Sequence, residues 1–545
     1  RRVSPLSIAF GILAVIVFAL VSAAGIYTDW LWFRQLDFEV VFFTQIVGQI
    51  VAFLIGFVIM TLLVATGLMF AWRTRPVYLK MPDESPFQAY QQLLDGLRRV
   101  IMLGLPALLG VFGGLIAARE WQTAALWLNG GLFGVTDPQF GLDIGFFVFD
   151  LPFYGFAVSY VSGGIFLAAL INAGVHLIYG GIRFSGREVN VSKPARIQLS
   201  ILVATYFILQ GLSLWLDQYG TATSSGELFT GVTYTDDNAV IPGLQILALI
   251  SLAVAVAFLV TAVLGQWRIS IIATALMVAS SLVLGGLYPW IVQTFQVVPN
   301  ERTLEGPYLQ KNIDATRVAY ELDKVEVVDY AANVIPEPGA LRNDARTTSS
   351  IRIMDPALVG DAFRQLEQYR QYYSFPNRLH VDRYAVDGET RDTIIAVREL
   401  NQAGLGESQS WYNSSVVYTH GFGLVAAYGN KVDSDGKPLF FQSGIPTVGD
   451  LGDFEPRIYF GANSPNYSIV GAPAGADPLE FDFPAGEGES NETYTTFTGS
   501  GGPLVGNIFT RIAYSLKFQS EQILLSDAIN AESQILYNRS PAERI

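Results

Sequence analysis

Seven apolar stretches occupy residues 1–295, after which hydrophobic density falls and stays low to residue 545. A helix needs about 20 apolar residues to cross a hydrocarbon core of about 30 Å. Seven windows reach that length: 5–27, 42–72, 100–118, 153–179, 197–216, 243–265 and 271–295. The second is long enough for a strongly tilted helix. The first runs into Asp29-Trp30-Leu31-Trp32-Phe33 without a convincing cleavage site, so it reads as a retained anchor and not as a signal peptide. The pattern predicts an all-α membrane bundle of seven transmembrane helices over 1–295, followed by a soluble mixed α+β domain over 296–545.

Within the second region, 307–322 reads as a helix leaving the membrane. Asp355-Pro356 is an N-cap and first-turn pair opening a helix that runs to about Tyr372. Residues 380–400 read as a hairpin turning at Asp387-Gly388. Short strands are expected at 415–419, 424–428, 457–461 and 467–470, a loop over the Gly/Pro/acid-rich 471–502, and helices over 503–516, 519–531 and 532–539. Between windows, Phe87, Tyr90, Leu94 and Leu97 recur at helical spacing, which predicts an amphipathic helix over 85–97. The aromatic-rich 119–152 suits a segment at the opposite interface.

Charge orients the bundle. Twelve of the fourteen basic residues in 1–295 fall on one side of the seven windows, and only Arg34 and Arg119 on the other. The positive-inside rule then puts the N-terminus in the cytoplasm and, with seven crossings, residues 296–545 outside a bacterial plasma membrane. Residues 1–295 carry 15 acidic and 14 basic side chains, whereas 296–545 carry 33 and 20. So acidic a domain lacks the clustered cations that nucleic acid requires, which excludes that partner class. The absence of cysteine excludes disulfides, thiolate metal sites and thiol nucleophiles.

Candidate chemistry is sparse. No charged side chain lies near the centre of any window, which disfavours ion-coupled transport. Asn172 and His176 share a helix face, a spacing that suits either an interhelical hydrogen bond or a binding role. Gly110, Gly113 and Gly114, and again Gly163 and Gly164, permit close helix approach, within the chain or between copies. Eleven carboxylates gather on the outer side: Asp29, Asp37, Glu39, Glu120, Asp137, Asp143, Asp150, Asp217, Glu227, Asp236 and Asp237. They are either the residue of charge sorting or a divalent-cation site, for which Asp137, Asp143, Asp236 and Asp237 are the weak candidates; no other cofactor is predicted. Asp433-Ser434-Asp435-Gly436 begins like a calcium loop, but Lys437 takes the next ligand position, so it reads as a hairpin turn. His380 and His420 lie forty residues apart, and a histidine metal site there would need carboxylate help. No nucleophile elbow, zinc-protease pair or phosphate-binding loop occurs.

Several segments carry a resemblance: Asp29-Trp30-Leu31-Trp32-Phe33, Asp137-Pro138-Gln139-Phe140-Gly141-Leu142-Asp143-Ile144 with Leu151-Pro152-Phe153, Tyr234-Thr235-Asp236, Pro299-Asn300-Glu301 with Glu305, Pro307-Tyr308 and Asn312-Ile313, Thr316-Arg317, Trp411-Tyr412-Asn413, Tyr418-Thr419-His420-Gly421 and Ile458-Tyr459-Phe460-Gly461. Together they resemble the large uncharacterised multi-pass membrane protein family of actinobacteria and some other bacteria. The resemblance implies seven N-terminal spans, a long extracytoplasmic region that continues past residue 545, and no activity whose residues can be carried over. Asn300, Glu301 and His420 remain as candidate functional-loop residues.

Three functions fit. The first is a non-enzymatic envelope scaffold or accessory subunit, with the bilayer, other envelope proteins or copies of itself as partners. The second is a conduit for a lipidic or apolar envelope component. The third is a carboxylate-dependent envelope enzyme using Asp137, Asp143 or His420, and the balance leans away from enzyme.

Overall fold

The computed structural model describes residues 4–75, 95–185, 188–226, 229–329, 335, 337–344, 351–386, 388–484 and 492–544. Seven helices are long and apolar enough to cross a membrane: Ala9–Gln35, Glu39–Arg73, Arg98–Arg119, Phe146–Ile178, Lys193–Thr223, Asp236–Leu264 and Trp267–Leu304. Each overlaps an expected window and overruns it at one end or both. Residues 85–94 of the expected amphipathic helix, the turn residue Asp387 and the carboxylate Glu227 lie outside the described residues.

The overrun has a local cause. A proline inside a helix removes one amide and pushes on the carbonyl four residues back. Four π-helical turns absorb this: Phe146–Asp150, Asp236–Val240, Val283–Leu287 and Val292–Val297. In each, the residue just before a proline donates its N–H to the carbonyl five back: Leu151 to Phe146, Ile241 to Asp236, Tyr288 to Val283 and Val298 to Gln293. The wider turn lets the helix pass through Pro152, Pro242, Pro289 and Pro299.

The chain divides into two compact units, residues 43–329 and residues 1–42 together with 330–545. This division by compactness is not the division by hydropathy, because the first long helix clusters with the C-terminal region.

In the helical unit, polar side chains tie helices one bond at a time. His176 Nε2 lies 2.8 Å from Gln198 Oε1, and Gln198 Nε2 donates to the Gly67 carbonyl at 2.8 Å, joining the fourth, fifth and second long helices. Tyr160 reaches the Gly56 carbonyl at 2.8 Å, Ser251 the Phe207 carbonyl at 2.7 Å, and Gln245 Nε2 the side-chain Oε1 of Gln218 at 2.8 Å. Asn172 turns to its own helix, donating to Ala168 O at 2.7 Å.

In the other unit, a five-stranded antiparallel sheet runs in the order Val448–Gly449, Pro438–Ser443, Leu424–Val432, Glu389–Val397, His380–Val386. Alternation sends Ile394, Ala396, Val425 and Ala427 to one face, against Phe363 and Phe375. Ile395, Ala426 and Tyr428 go to the other, against Phe441. The expected hairpin is present, with Val386 opposite Glu389. Asp433 accepts from the N–H groups of Asp435 and Lys437, 2.9 Å each, which makes it the turn before Pro438–Ser443.

A second core gathers Val416, Ile469, Val505, Tyr514, Ile523, Ile535 and Tyr537, and Leu31 and Trp32 of the first long helix pack into it. Tyr537 donates to the Thr28 carbonyl at 2.8 Å, and Lys517 pairs with Asp29 at 2.7 Å. Helix Ile508–Phe518 starts at Asn507, whose side chain accepts from Thr510 N at 2.9 Å.

Four expectations are corrected here. Residues 532–539 form no helix; Gln534–Tyr537 is a strand antiparallel to Tyr467–Val470, since a short apolar run buried on both faces suits either element and pairing decides. The strand expected at 415–419 is a π turn, Asn413–Val417. Of 519–531 only Gln522–Leu525 is helical. The loop expected over 471–502 contains strands Glu480–Phe483 and Thr493–Thr495, paired with each other. Its acidic composition suggested solvent, but Glu480 and Asp482 within it are buried against partners.

Candidate functional site

A polar centre stands in each unit. In the C-terminal unit it surrounds His420, which is 3% exposed. Strand Gly421–Phe422 pairs with Arg457–Ile458, and a Cβ at Gly421 would lie 2.1 Å from the Arg398 carbonyl, so only glycine fits immediately after the histidine. His420 Nδ1 faces Thr419 Oγ1 at 2.9 Å, Nε2 faces Asp482 Oδ1 at 3.5 Å, and the ring lies 4.4 Å from that of Tyr459. Arg457 clamps Asp482 with two bonds of 2.8 Å. Burial would raise the Asp482 carboxyl, but the bonds from His420 and Arg457 outweigh it and hold the group below the usual carboxylate range.

Alternation in Glu480-Phe481-Asp482-Phe483 places Glu480 in the same centre. Its Oε2 accepts from Thr419 Oγ1 at 3.0 Å and Tyr459 OH at 2.8 Å; its Oε1 accepts from the amides of Gly471 and Phe497 at 3.1 and 2.8 Å. Arg539, 2% exposed, donates to Tyr459 O at 2.6 Å, to Ser468 Oγ at 2.7 Å and to Thr419 O. Burial pulls its guanidinium down to about 9.

An acid, a histidine and a hydroxyl in line suggest nucleophilic catalysis. The bonding here argues otherwise. Thr419 has one hydroxyl proton and gives it to Glu480, so its oxygen accepts from His420 instead of yielding a proton to it. Thr419 is fully buried, and Thr419, His420, Tyr459, Glu480, Asp482, Arg457 and Arg539 each bond to a partner within the domain. The arrangement is suited to locking three chain segments together.

In the helical unit the centre forms where the loop 130–145, the stretch 221–240 and the helix Gly306–Ala319 meet. Asp237 accepts from Gln139 Nε2 at 2.7 Å and from Tyr308 OH at 2.6 Å. Lys311 donates to Gln139 Oε1 at 2.9 Å, and Asn312 to Thr230 O at 2.8 Å. Beside them opens a cavity of about 150 Å³ lined by Asp137, Gln139, Phe229, Tyr308, Lys311 and Asn312. Burial, reinforced by the Asp237 carboxylate, pushes the Tyr308 hydroxyl up. Glu305, 2% exposed, accepts from Tyr234 N through both oxygens at 3.2 and 3.0 Å. Burial raises its carboxyl, and Asp236 and Glu301 push the same way against the Tyr234 amide.

Three of the four cation candidates serve their own loops, and Asp237 bridges two other segments. Asp143 accepts from the amides of Phe133, Gly134 and Gly145, and the Gly145 bond leads in holding it below the usual range. Asp137 accepts from the amides of Gln139 and Phe140, Asp236 from Thr233, and Asp237 from Gln139 and Tyr308. Among the described residues no group of three or more His, Asp or Glu is placed to hold a metal ion. Asn300 and Glu301 are exposed, and Glu301 contributes its backbone carbonyl to Glu305 N at 2.8 Å. His380 is exposed on the edge strand. Sequence reading did not single out Glu480, Asp482, Arg457, Arg539, Lys311 or Tyr308 as site residues. The alternation of acid and aromatic at 480–483 is a local signal that could have marked two of them.

Several of the segments that carried the family resemblance converge on these centres: Asp137–Gln139, Tyr234–Asp236, Glu305, Tyr308 and Asn312 on one, Thr419, His420 and Tyr459 on the other. The model of the Uncharacterised protein family UPF0182 matches residues 6–545. The chain is 51% identical over 547 residues to a UPF0182 protein of Clavibacter sepedonicus, covering 100% of this chain and 56% of that protein. It is 48% identical over 541 residues to one of Arthrobacter sp. (strain FB24), covering 98% and 54%. With one of Tropheryma whipplei it shares 47% over 551 residues, covering 99% and 57%. The chain thus spans about half the length of the curated relatives it matches. No solved structure matches it. A match from end to end, with seven apolar helices in front of a mixed α+β region, means that the chain belongs to the UPF0182 family.

Proposed function

We propose that this chain is a multi-pass plasma-membrane protein whose C-terminal domain stands outside the cytoplasm and acts as a non-enzymatic scaffold or accessory subunit of the cell envelope, docking other envelope proteins. The twelve-to-two distribution of basic residues supports that orientation. The observation that carries the scaffold role is the junction of the first long helix with the C-terminal domain. Leu31 and Trp32 enter the domain's core, and the Tyr537–Thr28 and Lys517–Asp29 bonds fix the helix end to residues about 490 or more positions away in sequence. A domain fused to its anchor at two points of the chain presents a fixed surface at the membrane, as docking requires. The titratable groups near His420 are spent on internal bonds, which supports a binding role over chemistry.

A density map of the protein extracted with its native lipids tests the reading. Neighbouring protein density against the C-terminal domain is expected. A bare domain, with an elongated lipidic ligand among the helices, would replace the scaffold with a conduit for an apolar envelope component.

A further inference from the structure

Glycines in the long helices sort into two kinds. A Cβ at Gly110 would strike Thr61 Oγ1 at 2.0 Å, at Gly113 Tyr160 OH at 2.5 Å, at Gly114 Phe53 at 2.7 Å, and at Gly164 Leu63 at 2.9 Å. Those four are consumed by packing inside the chain. A Cβ at Gly155 or Gly163 would meet nothing within 4 Å. Gly155, Ser159 and Gly163 follow one another at four-residue spacing, so they form one small-residue stripe along the helix Phe146–Ile178.

A second observation lies beside that stripe. Between this helix and Lys193–Thr223 runs a groove of about 300 Å³ lined by Ser159, Ser162, Gly163, Tyr206, Gln210 and Ser213. Ser162 is 9% exposed and lines the groove. Among the described residues its hydroxyl has no hydrogen-bond partner, and neither do the polar groups of Ser159, Tyr206, Gln210 and Ser213. Ser162 stands near the midpoint of its helix and Gln210 near the midpoint of the other.

With these helices in a bilayer, as proposed above, the groove opens close to the mid-plane, about 15 Å from either headgroup layer. Acyl chains offer nothing to hydrogen-bond, and water is absent there, so polar groups left against lipid carry a desolvation cost. Only another polypeptide helix brings both a closely approachable backbone and hydrogen-bonding groups to that depth. Ser, Tyr and Gln side chains each donate and accept, and none is charged, so this surface is complementary to itself. Self-complementarity is what a two-fold contact demands. We infer that a second copy of this chain packs across this groove, the Gly155-Ser159-Gly163 stripes of the two copies crossing in contact and Ser162, Tyr206 and Gln210 hydrogen-bonding between them.

The chain has no cysteine, which gives cross-linking a clean background. The full chain carrying Ser159→Cys, oxidised mildly in native membranes, is expected to give a disulfide-linked dimer at least several-fold more abundant than Leu249→Cys, a control at a 64% exposed position of the sixth long helix. Adding Gly163→Leu, whose side chain would enter open space within its own chain, is expected to abolish the dimer while leaving the amount of membrane-integrated protein unchanged. Equal cross-linking of the two cysteine variants, insensitivity to Gly163→Leu, or a Ser159→Cys cross-link to a different protein would overturn the contact while leaving membrane insertion and the scaffold role standing. A chain absent from the membrane fraction would overturn the membrane reading and the contact together.

Discussion

The two units handle polar groups in opposite ways. In the helical unit, the interior of the long helices holds neutral side chains in short bridges, such as His176–Gln198–Gly67, and among the described residues the carboxylates lie in the loops and near the helix ends. In the C-terminal unit, charge is buried outright: Arg398 is 0% exposed against Glu367 at 2.7 Å, Arg539 ties three segments, and Asp482 sits between His420 and Arg457. A buried ion survives only when every bond it loses to water is replaced. A domain with many connecting segments supplies carbonyls and amides for that from several directions. A helix interior cannot, because its backbone groups are already paired with each other.

That contrast can be broken in four places. The largest effect is expected for Arg398→Met, which strands Glu367 without its cation and should cost about 3–5 kcal/mol. Adding Glu367→Leu should recover most of that loss, since an apolar pair of matching volume is often close to neutral. Urea midpoints from pulse proteolysis of the full chain in nanodiscs check it; a double variant as unstable as the single one would mean that the guanidinium's bonds to the Glu367 and Phe422 carbonyls matter more than the ion pair.

Next in size, Arg539→Met leaves the carbonyls of Tyr459 and Thr419 and the Ser468 hydroxyl without their shared donor, at about 1–3 kcal/mol in all, the cost of one buried group left unsatisfied once the remaining groups find other partners. Hydrogen exchange should then rise in Thr419–His420, Tyr459 and Ser468 together. Exchange confined to one of them would show that Arg539 does not couple the segments.

A smaller, pH-dependent effect follows from Asp482. Its folded pKa lies below the unfolded value of about 3.9, so its contribution is complete above that value and is lost as pH falls through the lower, folded pKa. The stability gap between the protein and Asp482→Asn should be constant near neutrality and narrow below about pH 4. A gap that narrows between pH 6 and 7 would mean that another group governs the centre.

The smallest change is expected in the helices. Gln198→Leu removes the bridge from His176 to Gly67 and should cost about 0.6 kcal/mol, at most about 1.7, as interhelical hydrogen bonds in membranes do. Heat-induced loss of the folded band after detergent extraction measures it, and a shift as large as that of Arg398→Met would erase the distinction between the units.

How much was legible in the chain differs by element. The seven long helices were, because a run of about 20 apolar residues has few other uses. Their ends were not, for a reason visible at Pro152 and Pro242: the expected windows begin just after them, at 153 and 243, but the helices pass through both by way of the π turns that begin at Phe146 and Asp236. The hairpin from His380 to Val397 and the Asp433 turn followed from alternation and turn chemistry. Residues 532–539 misled because Ile535-Leu536-Tyr537 is short and apolar on both sides, and the Tyr467–Val470 strand that settles it lies some seventy residues away. At the candidate sites, His420 was visible as an isolated histidine before glycine. Glu480, Asp482 and Arg539 were not, since their carboxylates and guanidinium look like solvated charge until the fold surrounds them.

By itself, then, the sequence determined where the chain can leave water, which of its regions is acidic, and which chemistries it lacks, since these depend on composition and spacing along one dimension. The tertiary structure decided that the first long helix belongs with the C-terminal domain, that the acids at 480–483 face inward, and that Gly163 stays open while Gly164 is filled. Each of those depends on contacts between residues far apart in the chain, and no local pattern carries the identity of a distant partner.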